Sequence, residues 1–204
     1  MPDAQERKNF IEKYWNYYRL LESDCLQIRR YVSFREGNFN TCSDEIIRQL
    51  ISVGAEIDHI LKEICSVQSD EGNMKIYKNW LLENIGQNYL NNITLNIQES
   101  QIMLKPFSPI RNKDSRIEWW SAYNSVKHNR WANYEKGSLY NLLHAMAALY
   151  FLECFQIKKI ADKYSDDENL LVFDVPPNSS KMLSLLNFKT RFNVTADGLF
   201  FETA

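Results

Sequence analysis

The chain has 204 residues, 45% of them hydrophobic and 25% charged, a balance typical of a soluble globular protein with one domain. Its net charge of −2 excludes a protein that coats nucleic acid with its whole surface. The longest apolar run, 145–152, is too short to span a bilayer, so we expect no membrane partner. The N-terminal sequence MPDAQERKN has neither signal nor transit character, which predicts a cytoplasmic protein.

The cysteine and histidine pattern argues against a metal site or a disulfide framework. The cysteines are widely spaced with no CxxC pair, which predicts reduced thiols that lie mostly in the core: Cys25, Cys42, Cys65 and Cys154. The three histidines have no partner at ligand spacing: His59, His128 and His144. The sequence also lacks the glycine-rich and nucleophile motifs of common cofactor and hydrolase sites. We therefore expect neither a metal nor a cofactor.

Two long helices are predicted in the first third of the chain. Apolar residues recur at intervals of three and four through 3–33 and again through 43–66. Ser43 is positioned to cap the second helix, and the two acidic residues after it favour the helix dipole.

A short insert follows these helices. Residues 75–85 predict a helix that stops at Gly86. The apolar period then changes to two over 93–97, and 101–104 is a candidate antiparallel partner, so a small β-hairpin is predicted within 92–104.

Two further helices are predicted at 115–131 and 138–163. Ser115 with Glu118 three residues later has the pattern of a capping box, and Trp131 extends the apolar arc of the first of them. The second is apolar on every side, which indicates a central buried helix or one with a face in an oligomer interface. The loop between them is short, so we expect the two helices to be antiparallel.

The remaining residues, 165–204, lose the helical period. They predict a strand at 170–173, one or two helical turns at 180–186, and a hairpin of 191–194 with 199–201. The predicted domain is thus a helical bundle over 1–164 with an insert near 87–110, and a C-terminal appendage over 165–204 that packs on it. The fold class is mainly α, with small β-hairpin appendages within 92–104 and 170–204.

Functional residues are concentrated near the end of the third long helix. Asn124 and His128 are four residues apart, so their side chains are neighbours at the margin between the apolar and polar faces. Segment 105–130 carries six basic residues against two acidic ones, within a chain of negative net charge. Two plainer interpretations are that His128 hydrogen-bonds Asn124 beside the core, and that the charge is a solvated face.

The segment WWSAYNSVKH, followed by NLLHAMAALYFLE, resembles the HEPN superfamily over the two helices from about 115 to 163. The resemblance implies an up-and-down four-helix bundle that commonly works as a homodimer. Many members of the superfamily are metal-independent ribonucleases of prokaryotic defence and toxin–antitoxin systems. By that resemblance RNA and a cognate regulatory protein are the expected partners.

The superfamily motif is an arginine, a spacer of four to six residues and a histidine, with a polar residue often directly after the arginine. Asn124 matches the polar position and His128 the histidine, but Tyr123 stands where the arginine is expected. A tyrosine can donate one hydrogen bond but cannot stabilise phosphorane charge as a guanidinium does. The candidate catalytic residues are therefore His128, Asn124 and Tyr123, and the candidate RNA-binding residues are Lys127, Arg130 and Arg116.

Three functions remain open at this point. The chain is an RNA-cleaving or RNA-binding HEPN-like protein, or a non-catalytic HEPN-like module that dimerises and binds a protein or nucleotide partner. The third alternative is a metabolic enzyme whose site the sequence hides.

Overall fold

The computed structural model describes residues 2–68, 71–98, 100, 102–163, 172–173, 180–186, 190–195 and 198–203. The protein is mainly helical, as predicted. Its helices are α1 Pro2–Phe10, α2 Asn16–Ile28, α3 Asp44–Cys65, α4 Met74–Asn84, α5 Gln87–Asn92, α6 Glu118–His128 and α7 Leu139–Lys163. The strands are β1 Thr94–Ile97, β2 Ile102–Leu104, β3 Val172–Phe173, β4 Leu183–Leu186, β5 Thr190–Thr195 and β6 Gly198–Thr203.

Helices α1 and α2 run as one rod, joined by a π-helical segment at Ile11–Trp15. The aromatic stripe of this rod is buried: Trp15 stacks on Tyr18 with ring centroids 5.3 Å apart, and Tyr18 stacks on Tyr150 of α7 at 5.6 Å. The rod ends at Ile28, five residues before the predicted end at 33, because the chain turns at 29–31.

Helices α3 and α7 form the centre of the protein, and α6 packs on both of them. The predicted Ser43 cap is confirmed, since its hydroxyl accepts a hydrogen bond from the Ile46 N–H at 3.1 Å. The apolar residues of α7 are buried within this one chain on almost every side from Leu139 to Ile157. The apolar surface of α7 is therefore covered within one chain and does not indicate a dimer interface.

The predicted hairpin in the insert is confirmed: β1 and β2 pair antiparallel, with Leu95 opposite Leu104. The helical turns predicted at 180–186 are wrong, since Leu183–Leu186 forms strand β4 on the other side of β1. Its first residue, Leu183, and the preceding Met182 are buried in the core. The missed strand is four residues long and completes a sheet whose other strands lie about 80 residues earlier, so its pairing partner is not evident from local sequence.

The boundaries predicted for the third long helix are too wide at both ends, because α6 begins at Glu118 and ends at His128. Ser115 does not cap it. Its hydroxyl instead accepts hydrogen bonds from the backbone N–H groups of Arg111 at 2.8 Å and Asn112 at 3.0 Å, within the preceding loop. Asn129 leaves the helical region with φ −149° and ψ 86°, which ends the helix before Trp131.

In the C-terminal segment, the predicted hairpin is confirmed: β5 and β6 pair antiparallel, and β3 pairs with β6. The predicted strand residues at 170–171 and the predicted turn at 196–197 lie outside the described residues, as do 164–169, 174–179, 187–189 and 204.

The cysteines are free thiols, as predicted, with Cys25, Cys65 and Cys154 buried and Cys42 partly exposed. Within the described ranges, no helix combines the length and apolarity that a bilayer-spanning segment needs.

Candidate nucleic-acid interface

Asn124 and His128 lie side by side on the last two turns of α6, as their spacing predicts. Asn124 is half-buried and His128 is exposed. Within the described part of the chain, neither side chain has a hydrogen-bond partner, so the two are not bonded to each other. Both are free to contact a ligand that approaches this end of the helix.

Tyr123 is a packing residue and is only 2% exposed. Its ring lies 4.9 Å from the Trp120 ring, centroid to centroid, and faces Gly54 of α3 so closely that a Cβ there would overlap it. The hydroxyl accepts a hydrogen bond from Lys127 Nζ at 3.1 Å, and the ammonium lies 5.2 Å from the ring centroid. Tyr123 therefore reaches the surface only through its hydroxyl, where it positions Lys127.

Trp131 is 88% exposed, in contrast to the predicted place in an apolar arc. The difference follows from the end of α6 at His128, because residues after Asn129 no longer keep the helical phase. Arg130, directly before it, is also exposed. We call Lys127, His128, Arg130 and Trp131 the α6 edge.

Side-chain hydrogen bonds hold the backbone of the α6 edge. The Asn133 amide donates to the carbonyl oxygens of Ser125 at 3.2 Å and Asn129 at 2.9 Å, which satisfies groups that the helix end leaves open. Lys136 Nζ donates to Asn133 Oδ1 at 2.7 Å, and the Ala132 N–H donates to Asn129 Oδ1 at 3.1 Å. The segment that presents Arg130 and Trp131 is thus tied to α6 from both sides.

Arg116 does not belong to the α6 edge. It precedes the first residue of α6, and the helix itself separates Glu118 from His128 by about 15 Å along its axis. Arg116 instead lines a pocket with Lys105, Tyr140 and His144. The structure thus brings together four predicted site residues, Asn124, Lys127, His128 and Arg130, and places Arg116 at the opposite end of the helix.

Sequence reasoning missed Trp131 as a surface residue and His144 as a pocket residue. The signal for Trp131 was the run Asn129-Arg130 after the last apolar position, since asparagine is frequent where helices end. Nothing local distinguishes His144, because its neighbours in the pocket are brought to it by tertiary packing. Among the described residues, no group of three His, Cys, Asp or Glu side chains could hold a metal ion.

No protein-family model, curated protein or solved structure matches this chain. The resemblance to the HEPN superfamily therefore stays a prediction.

Proposed function

We propose that this chain is a HEPN-like four-helix protein that binds single-stranded RNA along the α6 edge. The observation that carries the proposal is the 88% exposed Trp131, which directly follows Arg130 and comes four residues after Lys127. Both cations are exposed and form no ion pair within the described residues. A base can stack on the indole while the cations neutralise the flanking phosphates.

The charge and composition of the edge favour single-stranded RNA over a duplex. A single exposed ring contacts the face of an unstacked base, which a duplex does not offer. Stacking tolerates any base, and the contacts from lysine and arginine are to phosphates, so the edge should bind with little sequence preference. Asn124 adds an amide that can hydrogen-bond a base edge or a 2′-hydroxyl.

Replacing Trp131 tests the stacking contact. Trp131→Ala should weaken binding of a short single-stranded RNA by about tenfold, because one base–aromatic stack contributes about 1–3 kcal/mol. Fluorescence anisotropy at fixed ionic strength measures the change. Tyr31→Ala is the matched control, since Tyr31 is 89% exposed and also follows an arginine. A loss of affinity in the Tyr31 variant with none in the Trp131 variant would place the RNA elsewhere and refute the proposal.

Replacing the two cations tests the phosphate contacts. Lys127→Gln and Arg130→Gln should each lower affinity for all sequences alike and reduce the slope of log K against log salt by about 0.7, the single-strand value per phosphate contact. Arg111→Gln is the control, because Arg111 is exposed in the loop before α6 and outside the α6 edge. Equal slopes for all three variants would argue against a localised phosphate contact.

Cleavage is the second function that the edge supports, because His128 is an exposed imidazole next to the two cations. We expect cutting of single-stranded RNA without added metal, and a loss of about 100-fold or more in rate on His128→Ala, the usual scale for a lost general acid or base. Thermal stability should be unchanged, since the side chain is exposed. His59→Ala, at a partly exposed histidine on α3, should leave the rate intact. If the wild-type protein binds RNA but does not cleave it, only the binding function stands.

The alternative is a non-catalytic HEPN-like module that forms a homodimer or binds a cognate regulatory protein. Exposed apolar side chains on α2, Tyr17 and Leu20, lie one turn apart and favour a protein contact there. Sedimentation velocity at tens of micromolar separates the alternatives. A dimer that Leu20→Ser dissociates, with no RNA affinity in any state, would replace the RNA proposal.

A further inference from the structure

A second polar site lies at the other end of α6, outside everything assigned to the α6 edge. The loop between β2 and α6 and the first turns of α7 enclose a pocket of about 350 Å³. Its polar lining consists of Lys105, Ser108, Arg116, Glu118, Tyr140 and His144. The volume lies within the usual range for a small-molecule site, about 300–1,000 Å³.

The wall of this pocket is held rigidly by contacts to the core. Trp119 Nε1 donates to the Pro106 carbonyl at 2.7 Å. The Phe107 ring packs edge-on against Phe151 of α7, with centroids 5.4 Å apart. Asn91 bonds both backbone groups of Ile110, at 2.7 Å to its N–H and 2.8 Å to its carbonyl. The loop that carries Lys105 is therefore fixed in place before any ligand arrives.

His144 lines this pocket, and its hydrogen bond to the backbone defines its tautomer. The side chain is only 8% exposed, and its ring lies against the Tyr140 ring with centroids 4.0 Å apart. Nδ1 lies 2.9 Å from the Tyr140 carbonyl, which can only accept, so Nδ1 carries the proton. Burial lowers the pKa of His144, which favours the neutral imidazole, and in that form Nε2 is an acceptor. Nε2 has no partner among the described residues.

The charged residues that line this pocket determine the charge of the ligand that fits it. Lys105 and Arg116 are exposed, line the pocket and form no ion pair with any described residue. Glu118 is the acidic residue of the lining, so the pocket has one net positive charge. A matching ligand has a single negative charge and a hydrogen-bond donor for Nε2.

We propose that this pocket binds the monoanion of a phosphate monoester, with Arg116 and Lys105 on its anionic oxygens and its P–OH donating to His144 Nε2. Such an anion has both properties at once near pH 6, where its second proton is half dissociated. Arginine adds the bidentate geometry that phosphate oxygens favour. The phosphate can come from a free mononucleotide or from the 5′ end of an RNA, and both present the same group.

The test is titration of the intact protein with inorganic phosphate at pH 6, followed by the imidazole ¹⁵N resonances of His144. Phosphate should shift the Nε2 resonance, and Arg116→Gln should weaken binding by about tenfold, the scale for one charge-assisted contact. Arg111→Gln, in the same loop but outside the pocket lining, should leave the affinity unchanged. Sulfate lacks a proton to donate and should bind at least several-fold more weakly. His144→Phe keeps an aromatic ring against Tyr140, and should lose the preference for phosphate over sulfate.

Two further titrations identify the source of the phosphate group, and three outcomes would contradict the proposal. Tighter binding of a nucleoside 5′-monophosphate than of phosphate would point to a mononucleotide, and tighter binding of 5′-phosphorylated than 5′-hydroxyl RNA to an RNA end. An absent Nε2 shift at millimolar phosphate, an equal response to sulfate, or an equal loss in the Arg111 variant would overturn the proposal. Inorganic phosphate has no base to stack on Trp131, so a failure of phosphate to bind leaves the proposed RNA binding at the α6 edge standing. A failure of RNA to bind at the α6 edge likewise leaves the phosphate proposal standing.

Discussion

Gly54→Ala should lower the free energy of unfolding by about 3 kcal/mol, at the upper end of what overpacking usually costs. A Cβ at this position would lie 2.3 Å from Tyr123 Cδ2 and 2.5 Å from Tyr123 Cγ, far inside contact distance. The Tyr123 ring is buried and confined by Trp120 at 4.9 Å, so it cannot move away without disturbing the junction of α3 and α6. Urea denaturation measures the change, and the melting temperature should fall by about 6–12 °C.

Two variants make the Gly54 prediction specific. Gly37→Ala is the control, since a Cβ there meets nothing within 4 Å, and it should change stability little. Combining Gly54→Ala with Tyr123→Leu should recover part of the loss, because a smaller side chain makes room for the methyl group, and the double-mutant cycle should give a coupling free energy of about 1 kcal/mol or more. A Gly54 variant as stable as the Gly37 variant would contradict the packing.

This packing gives Tyr123 a structural role at the position where the predicted HEPN resemblance would place an arginine. A flat ring fills the space over Gly54, and only its hydroxyl reaches Lys127. Tyr123→Arg, which would complete the arginine–histidine spacing of the predicted resemblance, replaces that ring with a charged group beside the Lys127 ammonium. A gain of cleavage in this variant has to be judged against its stability, measured in the same preparation.

The features that depend on local periodicity could be predicted from the sequence. The apolar repeats located α3, α6 and α7, and the spacing of four made Asn124 and His128 neighbours. The predicted capping box at Ser115 failed for a reason that the local pattern does not contain. The Ser115 hydroxyl accepts a hydrogen bond from the Arg111 N–H in the preceding loop, and is therefore not available to cap α6. Helix ends depend on this kind of competition for hydrogen bonds, and so apolar periodicity alone placed Trp131 in the apolar arc although α6 ends before it.

The two candidate sites also differ in how far local sequence could predict them. The α6 edge is a local structure, so three of its four residues, Lys127, His128 and Arg130, could be named from the sequence alone. The pocket with Arg116 and His144 joins a loop, the start of α6 and the start of α7. Residues that are 28 positions apart, Arg116 and His144, meet there only through the tertiary packing of α6 on α7, which gives no local sequence pattern.

The protein also buries two carboxyl groups between α3 and α7. Glu153 is fully buried, and neither of its carboxylate oxygens has a hydrogen-bond partner among the described residues. Glu56 is nearly as buried, with its Oε2 3.8 Å from His59 Nδ1. Burial raises the pKa of Glu56 to about 7, although the charge of Lys13 opposes this, and burial with the nearby Glu56 charge raises the pKa of Glu153 well above its ordinary value.

These shifts predict that the buried pair makes the protein less stable as the pH rises. In the unfolded chain both carboxyls lose their protons near pH 4.5, while the folded protein still holds them. The folded state therefore binds more protons between about pH 4.5 and 7, and each carboxyl lowers the free energy of unfolding by up to about 1.4 kcal/mol per pH unit there. Above pH 7 the Glu56 contribution levels off, and that of Glu153 continues.

Glu153→Gln should consequently stabilise the protein at pH 8 by at least about 2 kcal/mol and change its stability little at pH 4.5, where the wild-type carboxyl holds its proton. The difference in unfolding free energy between variant and wild type, measured by urea denaturation across this range, isolates Glu153 from surface carboxylates whose pKa is lowered, such as Glu45. Glu36→Gln, at an exposed position, should give a flat difference. A Glu153 variant that is less stable than wild type at pH 8 would mean that the carboxylate is charged and stabilised by a partner, contrary to the buried geometry.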